Sequence, residues 1–205
     1  MALRLADKGG IEGLSMRKLA SALSVEAMSL YNHVANKDAL LEGLVELVVA
    51  EIHVPVVGGD WREQLRLRAH SAHRVLMAHR WATQLFVGRV NVGPHMLRYV
   101  DATIGCLTAA GFSYAEADHA WSALDAHIYG FTQIELNFPF QPDEYADVAE
   151  EFTSQMPMDD YPHLMGMSQE VMSGRHDGRH SLDFGLELIL DGLARSLARP
   201  SVSRS

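Results

Sequence analysis

The sequence is poor in everything that marks a secreted, membrane-spanning or cofactor-carrying protein. Among 205 residues there is one cysteine, Cys106, so no internal disulfide can form. It lies close to Ile104, Leu107 and Ala109, which predicts a buried structural thiol. No apolar run approaches the roughly 18 residues that cross a bilayer. Arg4, Asp7 and Lys8 break up the first ten residues, which argues against a signal peptide. A cytoplasmic location and no membrane partner are therefore expected. Positive charge is also scarce: 17 Lys and Arg face 26 Asp and Glu, a formal net charge of −9. That excludes a general nucleic-acid coat protein. Residues 1–53 hold five cations and seven acids, a net charge of −2. Any DNA binding must come from a local arrangement of charge and from dimerisation.

Strand patterns are nearly absent as well, and there is no internal repeat. Apolar residues, 48% of the chain, recur at three- and four-residue spacing, which is the helix period. The expected fold is all-α. A first helix ends over Leu3–Lys8 and stops at Gly9-Gly10. Ser15 is a good N-cap for a helix over Met16–Leu23 that buries Leu19 and Leu23. Ser24-Val25 makes a tight turn into a short helix from about Glu26 to His33. Asn36 caps a fourth helix, with Asp38 in its first turn where the helix dipole favours an acid. Its buried face is Leu40, Leu41, Leu44, Val45 and Val48. Val54–Gly59 breaks the pattern.

Beyond that break, Asp60 with Glu63 predicts a capped helix over Trp61 to about His79. Gly93-Pro94 opens another that ends at Gly111. Ser113 with Glu116 forms a capping box for a long helix to about Asn137, with Trp121, Leu124, Ile128 and Phe131 on one stripe. Asp143–Gln155 reads as a further helix, and Met156–Ser181 as a loop with a short helix inside. The last helix spans Leu182–Leu197. Leu182, Leu186, Ile189, Leu193 and Leu197 share one of its faces, and Phe184, Leu188 and Leu190 lie elsewhere, so it needs more than one partner.

The informative segment is Gly10–Ala20, followed by Leu23-Ser24-Val25, Ser29–Val34 and Asn36–Leu41. It describes two short helices joined by a tight turn and braced on both sides. Ala20 is small where the helices cross, and Leu19, Val25, Leu30 and Val34 supply a miniature core. The second helix leaves Ala27, Met28, Ser29, Asn32 and His33 facing out, where small and hydrogen-bonding side chains can read base edges in a major groove. The bland alternative is a plain helical hairpin.

The strings Gly10-Ile11-Glu12-Gly13-Leu14, Arg17-Lys18-Leu19-Ala20, Leu30-Tyr31-Asn32-His33-Val34 and Asn36–Leu41 closely resemble the DNA-binding head of the TetR family, in order and register. From Trp61 on, the chain is more weakly similar to the C-terminal domain of the family's tetracycline-responsive members. The resemblance implies a helix-turn-helix domain over residues 1–47 and a ligand-binding and dimerisation domain over 48–205. It implies phosphate contacts from Ser15, Arg17, Tyr31, His33 and Lys37, with Arg17 on phosphate or guanine. Ala27, Met28 and Ser29 fall at the base-reading start of the recognition helix. Glu26 either accepts from a cytosine or serves the helix dipole. The partners implied are double-stranded DNA with a palindromic operator, a small-molecule effector and a second copy of the chain.

Three departures stand out. Ala27 and Met28 replace a polar residue and a proline, and Asn32 replaces a tryptophan, so the operator should differ. The family's first helix follows a basic arm, whereas here it begins at Met1; either the start lies upstream or the arm is missing. Arg68, Ala72 and Phe86 stand where tetracycline-responsive members have an asparagine, a phenylalanine and a metal-binding histidine. Tetracycline with magnesium is therefore not an expected ligand.

Candidate pocket residues are His70, Trp81, Trp121, His127, Phe131 and Gln133, although residues of these types are more often ordinary core than ligand contacts. The chain has eleven histidines, but no cysteine or tight His/acid motif accompanies them, so no metal site is assigned. For dimerisation, the Tyr114 and Leu182 helices should pair with their copies in a four-helix bundle, through Leu124, Ile128, Leu186, Ile189 and Leu193. Two other function classes compete. An enzyme lacks support, because no nucleophile elbow, phosphate loop or metal-helix motif is present, and no cofactor is expected. A helical adaptor that does not bind DNA would suit the acidic head, but Arg17, Tyr31 and Lys37 at their spacing argue against it.

Overall fold

The computed structural model describes residues 1–88, 91–139, 144–155, 157, 160–178 and 180–198. Every regular element among them is a helix. The head holds α1 (Ala2–Gly13), α2 (Met16–Leu23), α3 (Ala27–Tyr31) and α4 (Lys37–Val49). The body holds α5 (Trp61–Ala78), α6 (Ala82–Gly88), α7 (Pro94–Ala109), α8 (Tyr114–Asn137) and α11 (Leu182–Leu197). The remaining helices are α9 (Tyr145–Gln155) and α10 (Pro162–Met172). Head and body pack as one compact unit made of residues 1–136 and the chain from 183 on, and residues 137–182 form a second.

Local chemistry accounts for four of the helix starts. The Ser15 hydroxyl accepts from the Lys18 amide at 3.2 Å and the Asn36 carbonyl from the Ala39 amide at 2.8 Å. The Asp60 carboxylate accepts from the Arg62 and Glu63 amides at 3.0 and 3.3 Å. At α8 the capping box is reciprocal. Ser113 Oγ accepts from the Glu116 amide at 3.2 Å, and the Glu116 carboxylate accepts from the Ser113 amide at 2.8 Å. The Ser113 hydroxyl, donating to the same carboxylate at 2.7 Å, and then the Ser113 amide hold the Glu116 carboxyl below its ordinary value.

Several expectations need correction. The first helix is not stopped at Gly9-Gly10: α1 kinks at Gly10, with φ +66°, and resumes to Gly13. Leu23 and Val25 are 43% and 44% exposed rather than core. Leu23 is the last residue of an eight-residue helix and Val25 lies in the turn beyond it, so both fall past the edge of the buried stripe. The head's core is instead Ala6, Leu14, Leu19, Ala20 and Leu30 against Leu40, Leu41 and Leu44 of α4. The five leucines and valines expected to line the buried face of α4 are all buried. Sequence periodicity missed α6, whose seven residues make only two turns. Asp143, the expected start of α9, lies outside the described residues.

One continuous core runs from the head through Val45, Val48 and Val49 of α4 into Leu65, Ala69, Ala72, Val75 and Leu76 of α5, then to Leu107, Leu124, Ile128, Leu186 and Leu190. The Trp61 and Phe112 rings meet edge to face at 5.5 Å and tie the start of α5 to the α7–α8 corner. The second unit is a helical pair. Phe138 meets Tyr145 edge to face at 5.4 Å, and Arg175 donates twice to Glu170 at 2.8 and 2.9 Å. No helix among the described residues is long and apolar enough to cross a membrane.

Candidate DNA-reading face and ligand cavity

The head's two short helices cross at Ala20, which is buried. Ser24 closes α2 in the left-handed region, with φ +57° and ψ +40°. The Ser24 amide then donates to Ser21 O at 3.1 Å and the Val25 amide to Ala20 O at 3.0 Å. This sharp turn brings α3 across α2, the helix-turn-helix arrangement. Arg17, Lys18, Tyr31, Asn32, His33 and Lys37 are exposed, and Met28 is 75% exposed. Ser15, Ala27 and Ser29 are half-buried. The residues expected to face out of the second helix therefore lie at or near its surface. The Ser29 hydroxyl donates to Glu26 O at 2.7 Å, so its lone pairs, not its hydrogen, are free for a base. α3 is shorter than expected, because the chain tightens into a turn at Asn32 and His33.

Two polar joints connect this head to the body. Asp7 of α1 lies 2.7 Å from His79 Nδ1 and accepts from the Trp81 indole N–H at 2.7 Å, just before α6. On the other side of His79, Nε2 lies 3.4 Å from Glu51. Glu46 of α4 accepts from the His95 and Met96 amides at 2.7 and 3.1 Å. It thus places a carboxylate on the N-terminus of α7, where the helix dipole favours it. Gly93 makes room for it: a Cβ there would lie 2.1 Å from Glu46 Cδ. The two joints flank α6.

In the body, α6 and α8 enclose a cavity of about 890 Å³ with mostly apolar walls. Thr83, Gln84 and Gly88 come from α6, and Asp118, Trp121, Ser122, Asp125, Ala126, Tyr129, Gly130 and Gln133 from α8. Behind this wall, fully buried Arg68 of α5 donates to Asp125 at 2.5 Å. Its guanidinium sits 4.5 Å from the Tyr99 ring centroid. Burial acts against the Arg68 charge, but Tyr99, Asp125 and Tyr129 outweigh it and hold its proton more tightly than usual. Burial pushes the Tyr99 hydroxyl up to about 12 and raises Tyr129 well above its ordinary value. Arg68 Nε and Nη1, Thr83 Oγ1 and Trp121 Nε1 are buried with no hydrogen-bond partner among the described residues.

Of the six expected pocket residues, the structure brings Trp121 and Gln133 to the cavity. The other four are placed elsewhere. His70 is exposed and pairs with Asp183 at 2.9 Å. Trp81 belongs to the Asp7 joint. His127 packs so closely on Gly185 of α11 that a Cβ there would lie 2.3 Å from its ring. Phe131 meets the His73 and His127 rings at 5.6 and 6.1 Å. Residues 127 and 131 are on a different stripe of α8 from 118, 122, 125, 129 and 133. Asp118, Asp125, Tyr129 and Thr83 were not anticipated; the 3.6-residue spacing along α8 was the signal that could have found the first three. Three of the five expected seam residues are also reassigned. Leu124, Ile128 and Leu186 are fully buried in the chain's own core, and Ile189 and Leu193 are half-buried against it. The large hydrophobic side chains exposed on α8 and α11 are Tyr114, Ile134, Phe184 and Leu188.

A helix-turn-helix head joined to a cavity-bearing helical body defines a class of transcriptional regulator. The chain belongs to the TetR family: residues 1–44 match the model described as "Bacterial regulatory proteins, tetR family", and residues 55–197 match "Tetracyclin repressor-like, C-terminal domain". It is 32% identical over 196 residues to an HTH-type transcriptional regulator of Saccharopolyspora erythraea, covering 94% of this chain and 81% of that one. It is 30% identical over 203 residues to the class D tetracycline repressor of Escherichia coli, covering 93% and 84%. Among solved structures, Streptomyces coelicolor ActR in complex with actinorhodin superposes with a TM-score of 0.78 at 28% identity, covering 97% of this chain and 95% of that one. The relatives are regulators and repressors, and this chain is a regulator, not an enzyme.

Proposed function

We propose that the protein is a ligand-responsive repressor, acting in the cytoplasm as a homodimer on a palindromic operator and released by a small molecule other than tetracycline. Residues 1–47 are taken as the reading head and 48–205 as the sensing and pairing domain. The observation that carries this reading is the placement of α6. Its residues wall the cavity, and the polar joints to the head lie just before it, at His79 and Trp81, and at the start of the next helix, α7. An occupant that shifts α6 would shift Asp7 and Glu46, and with them the separation of two recognition helices in a dimer. Similarity to repressors, and to a neighbour whose structure holds actinorhodin, supports the same reading. A twofold dimer requires half-sites spaced by whole turns of DNA. A hundredfold loss of operator affinity would need about 2.7 kcal/mol of differential binding by the effector.

The test is footprinting of the full chain on genomic fragments. A protected palindrome is expected, and no protection would end the proposal. Arg17→Ala should weaken binding on all sites alike, about tenfold at low salt, because a phosphate contact carries no sequence information. Ser29→Ala should relax base preference instead.

A further inference from the structure

We propose that the ligand of the α6–α8 cavity is a flat aromatic cation. This rests on reading the cavity as the effector site, and adds the charge and shape of what fills it. Asp118 and Asp125 are the carboxylic acids among the described lining residues, none of which is Lys, Arg or His. Asp125 is already matched from behind by Arg68. Asp118 has no ion-pair partner among the described residues, so the described lining residues carry one uncompensated negative charge. An anionic guest would be repelled by that charge. A cationic guest would balance it.

The two carboxylates do not form a metal site. Seven residues apart on one helix, they are separated by roughly 10 Å along its axis. No group of three potential metal ligands occurs among the described residues. The Trp121 and Tyr129 rings supply the second element of recognition. Aromatic faces attract organic cations, Trp most strongly, and they stack on flat rings. A cavity of about 890 Å³ is large enough for a three- or four-ring molecule.

The test uses two dyes with one xanthene skeleton and opposite charge, cationic rhodamine 6G and anionic fluorescein, titrated into the full chain by fluorescence anisotropy. Rhodamine 6G should bind at least about tenfold more tightly than fluorescein. Asp118→Asn, at an exposed position, should remove most of that difference. Ala126→Trp or Gly130→Phe, which fill the cavity, should abolish binding of the cation. The inference is overturned if fluorescein binds as tightly, if Asp118→Asn leaves the ratio unchanged, if neither dye binds, or if the cation still binds to both filled variants. Operator release read in the same titration separates this from the proposed function. A cation that binds with the expected charge preference yet leaves DNA held sinks the effector reading and keeps the ligand class.

Discussion

Arg68 shows how a single side chain can be misjudged from sequence. It sits in a polar-looking stretch of α5, yet Leu65, Ala69, Ala72, Val75 and Leu76 share its buried stripe. The helix period marked the position as interior, but the charge of the residue obscured it. Asp125 was legible in the same limited way, on a face defined by Asp118, Trp121, Ser122 and Tyr129. What the sequence could not supply was the pairing, because Arg68 and Asp125 are 57 residues apart and no local pattern joins them. Breaking a buried pair from one side leaves an uncompensated charge. Asp125→Asn should therefore cost about 3–5 kcal/mol in urea unfolding. Arg68→Met, which replaces the cation by an apolar chain of similar length, should cost less on the same measurement. Equal stability of Asp125→Asn and the parent chain would mean that the guanidinium is not sealed from water.

The individual helices were the most readable level. Caps at Ser15, Asn36, Asp60 and Ser113 mark starts that the structure reproduces to within a residue, because each depends on atoms three residues away or closer. The failures were elements without such local marks: α6 was too short for a period, and α3 ended early at Asn32. Contacts between helices were not legible. α5 is held to α11 by Arg62 and Arg66 on one side and Glu187 and Asp191 on the other, with Arg66 2.8 Å from Glu187. Hydrogen bonds from Arg66, then Arg62, draw the Glu187 carboxyl down to about 2. A folded-state value below the unfolded one gives stability that is complete above about pH 4.5 and is lost as pH falls towards 2. Melting curves of the parent chain and Glu187→Gln should differ by a constant amount at neutral pH, and the gap should close across that acid window. Because the group is open to solvent, salt should narrow the gap at any pH. A gap that persists undiminished at pH 2 would show that the glutamate acts through packing, not charge.

For the molecule as a whole, the sequence indicated the family and the two-part design, but three of the five residues expected at the dimer seam lie in the chain's own core. Leu186 and Leu124 look like seam leucines in a list of apolar positions, but a single chain's own core already claims them. The apolar residues still facing outward on α11, Phe184 at 72% and Leu188 at 57% exposure, are four apart and share a face. With Ile134 of α8, also exposed, they are the seam we propose for the homodimer. Light scattering should give twice the 22.7 kDa chain mass for the parent and one chain mass for Leu188→Asp, with helicity retained. The monomeric variant should also lose the palindromic footprint, since each half-site alone offers too few contacts. A parent chain that stays monomeric at micromolar concentration would remove the dimer from the proposal. The grip of Glu46 on α7 ties this assembly to a clock. The His95 and Met96 amide protons are shielded by a carboxylate from another helix, whereas the neighbouring Leu97 amide donates to Gly93 O at 2.9 Å within its own. Deuterium exchange counts every opening, however brief, that uncovers an amide. An occupant that loosens the head should quicken exchange at residues 95 and 96 while residue 97 keeps its rate, so adjacent amides would time the parting of head from body before any average structure moves.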